Sequence, residues 1–91
     1  MLYLISYDIE DDKKRTRLAH KLKDFGRRVQ YSVFEADINE EEIIKLQTLL
    51  GKVQLGKNDS LRLYRLCGEC RKQIKIWGKG EVTKDREYYI A

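Results

Sequence analysis

The stretch Leu2–Ile9, LYLISYDI, constrains the fold more than any other in this chain. It is too short and too continuously apolar for an amphipathic helix, and its Leu, Ile and Tyr content suits an interior strand. Alternation sends Leu2, Leu4, Ser6 and Asp8 one way and Tyr3, Ile5, Tyr7 and Ile9 the other, so both faces are largely apolar. Any fold containing this strand must cover both of its sides.

The following segments supply one cover. Asp11 or Asp12 can cap a helix whose core stripe is Leu18, Leu22 and Phe25 with Ala19 beside it, and Gly26 provides the stop. Arg28–Ile38, RVQYSVFEADI, alternates Val29, Tyr31 and Val33 against Gln30, Ser32 and Phe34, a pattern compatible with one strand or two kinked ones. Asn39, with Glu42 three residues on, forms a capping box for a second helix, with a stripe of Ile43, Leu46, Leu50 and Val53 widened by Ile44 and Leu49. Ser60–Cys67 reads as a further strand with Leu61 and Leu63 on one face, and Gln73–Trp77 as another. Beyond Gly78 and Gly80 the tail DREYYIA is extended in character and aromatic, and an exposed sheet edge on a second subunit is a natural acceptor for it.

Two helices on one face of such strands predict an α+β, ferredoxin-like βαββαβ sandwich. The other face carries apolar residues and no helix, which predicts a homodimer about a two-fold axis. Length agrees: 91 residues predict a single domain over 1–91, and a chain this short buries only roughly 60% of its unfolded surface alone. Residues 81–91 are expected to be the tail exchanged with the partner as an extra C-terminal strand.

Composition narrows the partners. Hydrophobic residues make up 42% of the chain against 37% charged, with no proline, which is the composition of a folded domain and excludes a disordered chain. Apolar runs reach about five residues, against roughly 20 for a membrane-spanning helix, and no basic signal region precedes the first strand, so a cytoplasmic protein without a membrane partner is expected. The net charge of +4 permits a polyanionic partner. The basic residues cluster in the first third, from Lys13 to Arg28, and an acidic block from Glu35 to Glu42 follows.

Among residues able to carry chemistry, Asp8 leads. Strand carboxyl ends commonly hold ligands. An Asp there can equally serve as turn former or cap, yet Asp11 and Asp12 fill that task better. Magnesium uses one or two carboxylates together with waters and phosphate oxygens, so a second copy of Asp8 across a symmetry axis would complete a site that one chain lacks. Arg15, Arg17, Arg27 and Arg28 offer planar forks suited to phosphate, with Tyr7, Tyr31 and Phe34 in neighbouring strands, although a solvated helix face explains some of these charges. Cys67 and Cys70, in CGEC, lack two further zinc ligands, since the chain's single His20 lies on the first helix. A redox motif should open a helix, whereas this one is read as ending a strand, so two ordinary thiols are expected. His20 is expected on the surface.

In order and spacing, LYLISYDI, DDKKRTRLAHKLKDFG, RVQYSVFEADI and SLRLYRLC resemble the small CRISPR-associated adaptation protein family, Cas-two, described as an endoribonuclease. The likeness runs over essentially the whole chain, and YDI followed at this separation by RVQYSVFE is its most specific part. The resemblance implies a ferredoxin-like homodimer with its last strand exchanged and a nuclease of antiviral defence dependent on Mg2+ or Mn2+. The nuclease would cleave single-stranded RNA, double-stranded DNA or both. It also implies partnership with the CRISPR adaptation integrase in spacer acquisition. Asp8 matches the family's metal-binding aspartate, and Tyr7, Arg15, Arg17, Arg28 and Phe34 match positions implicated in activity or nucleic-acid contact. A non-catalytic DNA-binding scaffold that bridges integrase dimers, and a toxin-type ribonuclease of similar fold, are the alternatives.

Overall fold

The computed structural model describes residues 1–80, 82 and 83. The elements run β1 (Leu2–Asp8), α1 (Asp12–Leu22), β2 (Arg27–Gln30), β3 (Val33–Asp37), α2 (Glu40–Gly51), β4 (Ser60–Leu66) and α3 (Gly68–Lys72). The sheet order is β2-β3-β1-β4 with every neighbouring pair antiparallel. This is the βαββαβ ferredoxin-like arrangement, followed by a short third helix.

The open choice between helices resolves as two strands. Gln30 pairs with Val33 across the two-residue turn Tyr31–Ser32, and a register shift between Arg28 and Gln30 bulges Val29 out of the ladder. β1 lies at the centre, with Ile5 opposite Phe34 on one side and Leu63 on the other.

Period-two alternation places the core. Ile5, Tyr7 and Ile9 of the first strand and its exit, with Phe34, Ala36 and Ile38, pack against Leu18, Ala19 and Leu22 of α1 and Leu46 of α2. Full burial of a side chain such as Leu46 contributes about 1.5–3 kcal/mol. Ile43, Leu49, Leu50 and Val53 pack on this cluster, whereas Ile44, expected to widen the stripe, is 62% exposed because it falls outside the arc of α2 that meets the sheet. The opposite face of the sheet has no α1 or α2 against it. There Leu4 and Val33 are half-buried and Tyr64 is exposed.

The helix signals act as read, with one difference. Asn39 and Glu42 form the reciprocal capping box, while Asp11 occupies the α1 N-cap without a side-chain hydrogen bond and contributes its carbonyl, which accepts from the Arg15 N–H.

Gln73–Trp77 is not a strand. After α3 the N–H groups of Gln73 and Ile74 donate back to Cys70 and Arg71 carbonyls, so that turn takes the donors a ladder would need. The expected exchanged strand, 81–91, lies outside the described residues apart from Val82 and Thr83. No helix among the described residues is long and apolar enough to cross a membrane.

Candidate functional site

The carboxyl end of β1 places adjacent side chains on opposite sides of the sheet, as strand geometry requires. Tyr7 points into the helix-side core and is 3% exposed. Asp8, paired with Ser60, is exposed. No described residue hydrogen-bonds or ion-pairs with the Asp8 carboxylate.

The loop next to Asp8 is fastened by a different acid. Asp59 accepts the Glu10 N–H at 3.0 Å on Oδ1 and the Gly56 N–H at 2.7 Å on Oδ2. These two backbone donors, Glu10 first, hold its carboxyl below the usual carboxylate range. Asp59 therefore works as a clamp between the β1 exit and the β4 entry, and Asp8 is left available. The sequence carried a signal for this clamp in Asn58-Asp59 after Gly56, residues that favour side-chain to backbone turns.

On the helix side a basic cleft of about 350 Å³ opens between α1 and the β2–β3 turn, with Arg15, Lys23 and Arg28 around it and His20 and Tyr31 at its margin. Its geometry follows from the core. The Tyr7 N–H donates to the Ser32 carbonyl at 3.1 Å and its hydroxyl donates to the Tyr31 carbonyl at 3.4 Å, which pins the β2–β3 turn to β1. Arg15 donates to the Ile9 carbonyl at 2.8 Å, pairs with Asp12 and lies 5.7 Å from the Tyr31 ring centroid. The Asp12 carboxylate raises the Arg15 pKa further above its ordinary value. Arg28 lies over the Phe34 ring at 5.5 Å, and that ring stacks at 6.4 Å from Tyr7.

Four of the six expected site residues, Tyr7, Arg15, Arg28 and Phe34, thus meet in one place. They divide by burial. Phe34 has no exposed surface and Tyr7 almost none, so they form the platform on which Arg15, Arg28 and the exposed Tyr31 stand. Arg17 faces elsewhere, joining Lys14, Lys21 and Lys52 around a second cleft of about 330 Å³ between α1 and α2. His20 is exposed, as expected, yet it borders the first cleft. Guanidinium forks beside an exposed aromatic ring suit a phosphate backbone and a stacked base.

For a divalent ion the donor count within one chain is short. No group of three or more His, Cys, Asp or Glu among the described residues stands close enough to hold a metal. Asp8 has the right chemistry, an accessible carboxylate without a partner among the described residues, which gather no set of three metal ligands around it.

Comparison with known proteins follows the same lines. The family profile described as "CRISPR associated protein Cas2" matches residues 1–74. The chain belongs to the Cas2 family. It is 45% identical over 83 residues to the CRISPR-associated endoribonuclease Cas2 3 of Synechocystis sp., covering 91% of this chain and 90% of that protein. A crystal structure of Streptococcus pyogenes Cas2 superposes with a TM-score of 0.68 at 32% identity, over 86% of this chain and 100% of that one. A chain of a partial Cas6-RT-Cas1–Cas2 complex matches with a TM-score of 0.62 at 29% identity, over 82% of this chain and 88% of that one. Among Cas2 proteins this one keeps the ferredoxin-like sheet described above, with Asp8 at the end of its central strand.

Proposed function

We propose that this chain is a homodimeric, divalent-metal-dependent endonuclease that cleaves phosphodiester bonds of single-stranded RNA, double-stranded DNA or both. It acts in the cytoplasm with the CRISPR adaptation integrase during spacer acquisition. The observation that carries the nuclease reading is Asp8: an exposed carboxylate without a described partner at the end of the central strand, its structural duties discharged by Asp59. A relative 45% identical is named an endoribonuclease, and a structural neighbour is part of a Cas1–Cas2 complex.

The dimer is supported by the sheet face that carries Leu4, Val33 and Tyr64 with neither α1 nor α2 upon it. Two copies would bring two Asp8 carboxylates to one Mg2+ or Mn2+, a donor number that suits magnesium with waters and phosphate oxygens completing its shell. The ion would supply charge stabilisation at the phosphodiester and a more acidic bound water. Within each chain Arg15 and Arg28 hold phosphate oxygens, Tyr31 offers its ring to a base, and Tyr7 and Phe34 keep these groups in place.

A second reading, a duplex-binding scaffold in which Asp8 is catalytically idle, has its own support. The α1–α2 cleft with Lys14, Arg17, Lys21 and Lys52 is a separate cationic surface, on elements other than the strand that carries Asp8. One experiment separates the two readings: cleavage of RNA and duplex DNA by wild type and Asp8→Ala, each with Mg2+, with Mn2+ and with a chelator, alongside light scattering for mass. The nuclease reading expects cleavage lost in Asp8→Ala and in chelator while the mass stays that of a dimer. Equal cleavage by rigorously purified Asp8→Ala protein would overturn it. Retained duplex binding with no cleavage by either protein would favour the scaffold.

A further inference from the structure

The Cys67–Cys70 segment is the one chemistry-bearing motif that the nucleic-acid reading leaves unused. The sequence placed it in a turn closing a strand. In the structure Cys67 instead caps α3, its Sγ accepting the Cys70 N–H at 3.5 Å. The two sulfurs lie 3.3 Å apart, both residues are exposed, and neither is in a disulfide. A disulfide needs sulfurs at about 2.0 Å, so closure asks for a movement of about 1.3 Å by two solvent-exposed side chains. Zinc is a poorer fit, because a closed site takes four ligands and the described residues bring no third one to these sulfurs.

We propose that Cys67 and Cys70 are a reversible redox pair, closed to an intramolecular disulfide by small-molecule disulfides of the glutathione type. The Cys67 thiolate attacks one sulfur of the small disulfide. That S–S bond breaks, one half leaves as a thiolate, and a mixed disulfide remains on Cys67. Cys70 then loses its proton to solvent and attacks the Cys67 sulfur, forming the internal bond and expelling the second half as a thiolate. Two protein thiols are oxidised and one small disulfide is reduced to two thiols.

The order of attack follows from the surroundings. The Cys70 N–H, donated to Cys67, pulls that thiol's pKa below its ordinary value, whereas the adjacent Cys67 sulfur pushes Cys70 up. Closure has a mechanical consequence. Arg71 follows Cys70 directly, donates to Asp37 at 2.7 Å and binds the Thr83 carbonyl, and the Thr83 hydroxyl donates to Glu35 at 2.8 Å. Fixing the α3 turn fixes the grip by which the chain returns over the sheet.

The test incubates the full chain in glutathione mixtures from fully reduced to fully oxidised, quenches with iodoacetamide and maps tryptic peptides. Trypsin cleaves after Arg65 and Arg71, so both cysteines fall in one peptide. With rising oxidant that peptide should lose both alkylations and about 2 Da, the two thiol hydrogens, and dithiothreitol should restore them. Cys70→Ser should accumulate a glutathione adduct on Cys67, and in the wild-type protein a rapid acid quench should find the first mixed disulfide on Cys67 rather than Cys70. Full alkylation of both cysteines at every ratio, or a stable glutathione adduct on the wild-type protein without an internal bond, overturns the proposal. A first mixed disulfide on Cys70 of the wild-type protein overturns the assigned order of attack.

Discussion

Replacing Gly26 by alanine tests how the strand that carries Arg28 is seated. A Cβ at Gly26 would stand 2.0 Å from the Glu35 carbonyl oxygen and 2.8 Å from the Ala36 Cα, both backbone atoms. That leaves the methyl about 1.4 Å short of the 3.4 Å at which ordinary contact begins. Neither side can yield easily. The Gly26 N–H donates to the Leu22 carbonyl at 3.1 Å, and the next residue, Arg27, pairs with Glu35 in the ladder. Ala36 is itself fully buried in the core. Overpacking against rigid backbone costs about 3 kcal/mol, the upper end of such substitutions. At roughly 4–8 °C per kcal/mol for a domain of this size, the melting midpoint should fall by about 12–24 °C. Gly51→Ala is the internal control. It ends α2, has nothing within 4 Å of its Cβ position and does not need a positive φ, so alanine should stabilise by about 0.5–1 kcal/mol. Urea and thermal denaturation of the pair read both effects. A Gly26→Ala protein melting within about 2 °C of wild type would refute the close-approach argument.

Asp8→Asn should change stability by less than about 0.5 kcal/mol, because the exposed carboxylate has no described partner; a large loss in urea titration would assign it a structural role instead. Arg15→Ala and Arg28→Ala should each weaken RNA or duplex binding across sequences and lower the slope of log affinity against log salt by about one, and unchanged slopes in both would remove the cleft from the interface. Burial raises the Asp37 pKa, but its hydrogen bonds with Arg71 and the Met1 ammonium outweigh that and hold it below its ordinary value in the folded chain. The lowered folded value means that the contribution is fully present above the unfolded pKa and is lost as pH falls through the folded one. Asp37→Asn should therefore flatten the acid limb of the stability curve, and Arg71→Ala should cost about 2 kcal/mol at neutral pH. An unaltered acid limb in Asp37→Asn would show that other carboxylates set it.

Several features of the fold were legible residue by residue. The alternation in LYLISYDI correctly separated Tyr7 from Asp8, because neighbouring strand residues must point to opposite faces. Asn39 and Glu42 predicted their capping box, since its partners lie within one helical turn. The helix-stop signal of Gly26 accounts for only part of its role. The residue does follow the end of α1, but what demands glycine there is the Glu35 carbonyl nine residues further along, which only strand pairing brings close. Ile74 and Ile76 have the alternation of a strand, yet pairing also needs free donors and a neighbour, and the α3 turn uses those of Gln73 and Ile74. CGEC reads as a strand-ending turn because Ser60–Cys67 runs straight into it; the helical turn that Cys67 caps is held by bonds that the spacing alone does not reveal.

By itself, the sequence determined the local periods, the caps, the apolar stripes and Asp8 at the end of an interior strand. These depend on residues within a turn or two of one another, where backbone geometry leaves few choices. Only the tertiary structure decided that Arg15 and Arg28 share a cleft while Arg17 belongs to another, and that Asp59, distant in sequence, fastens the loop beside Asp8. Those relations are set by which strands pair and how the helices lie across them, and burial of Tyr7 and Phe34 in the common core is what brings the far-apart cations to one edge.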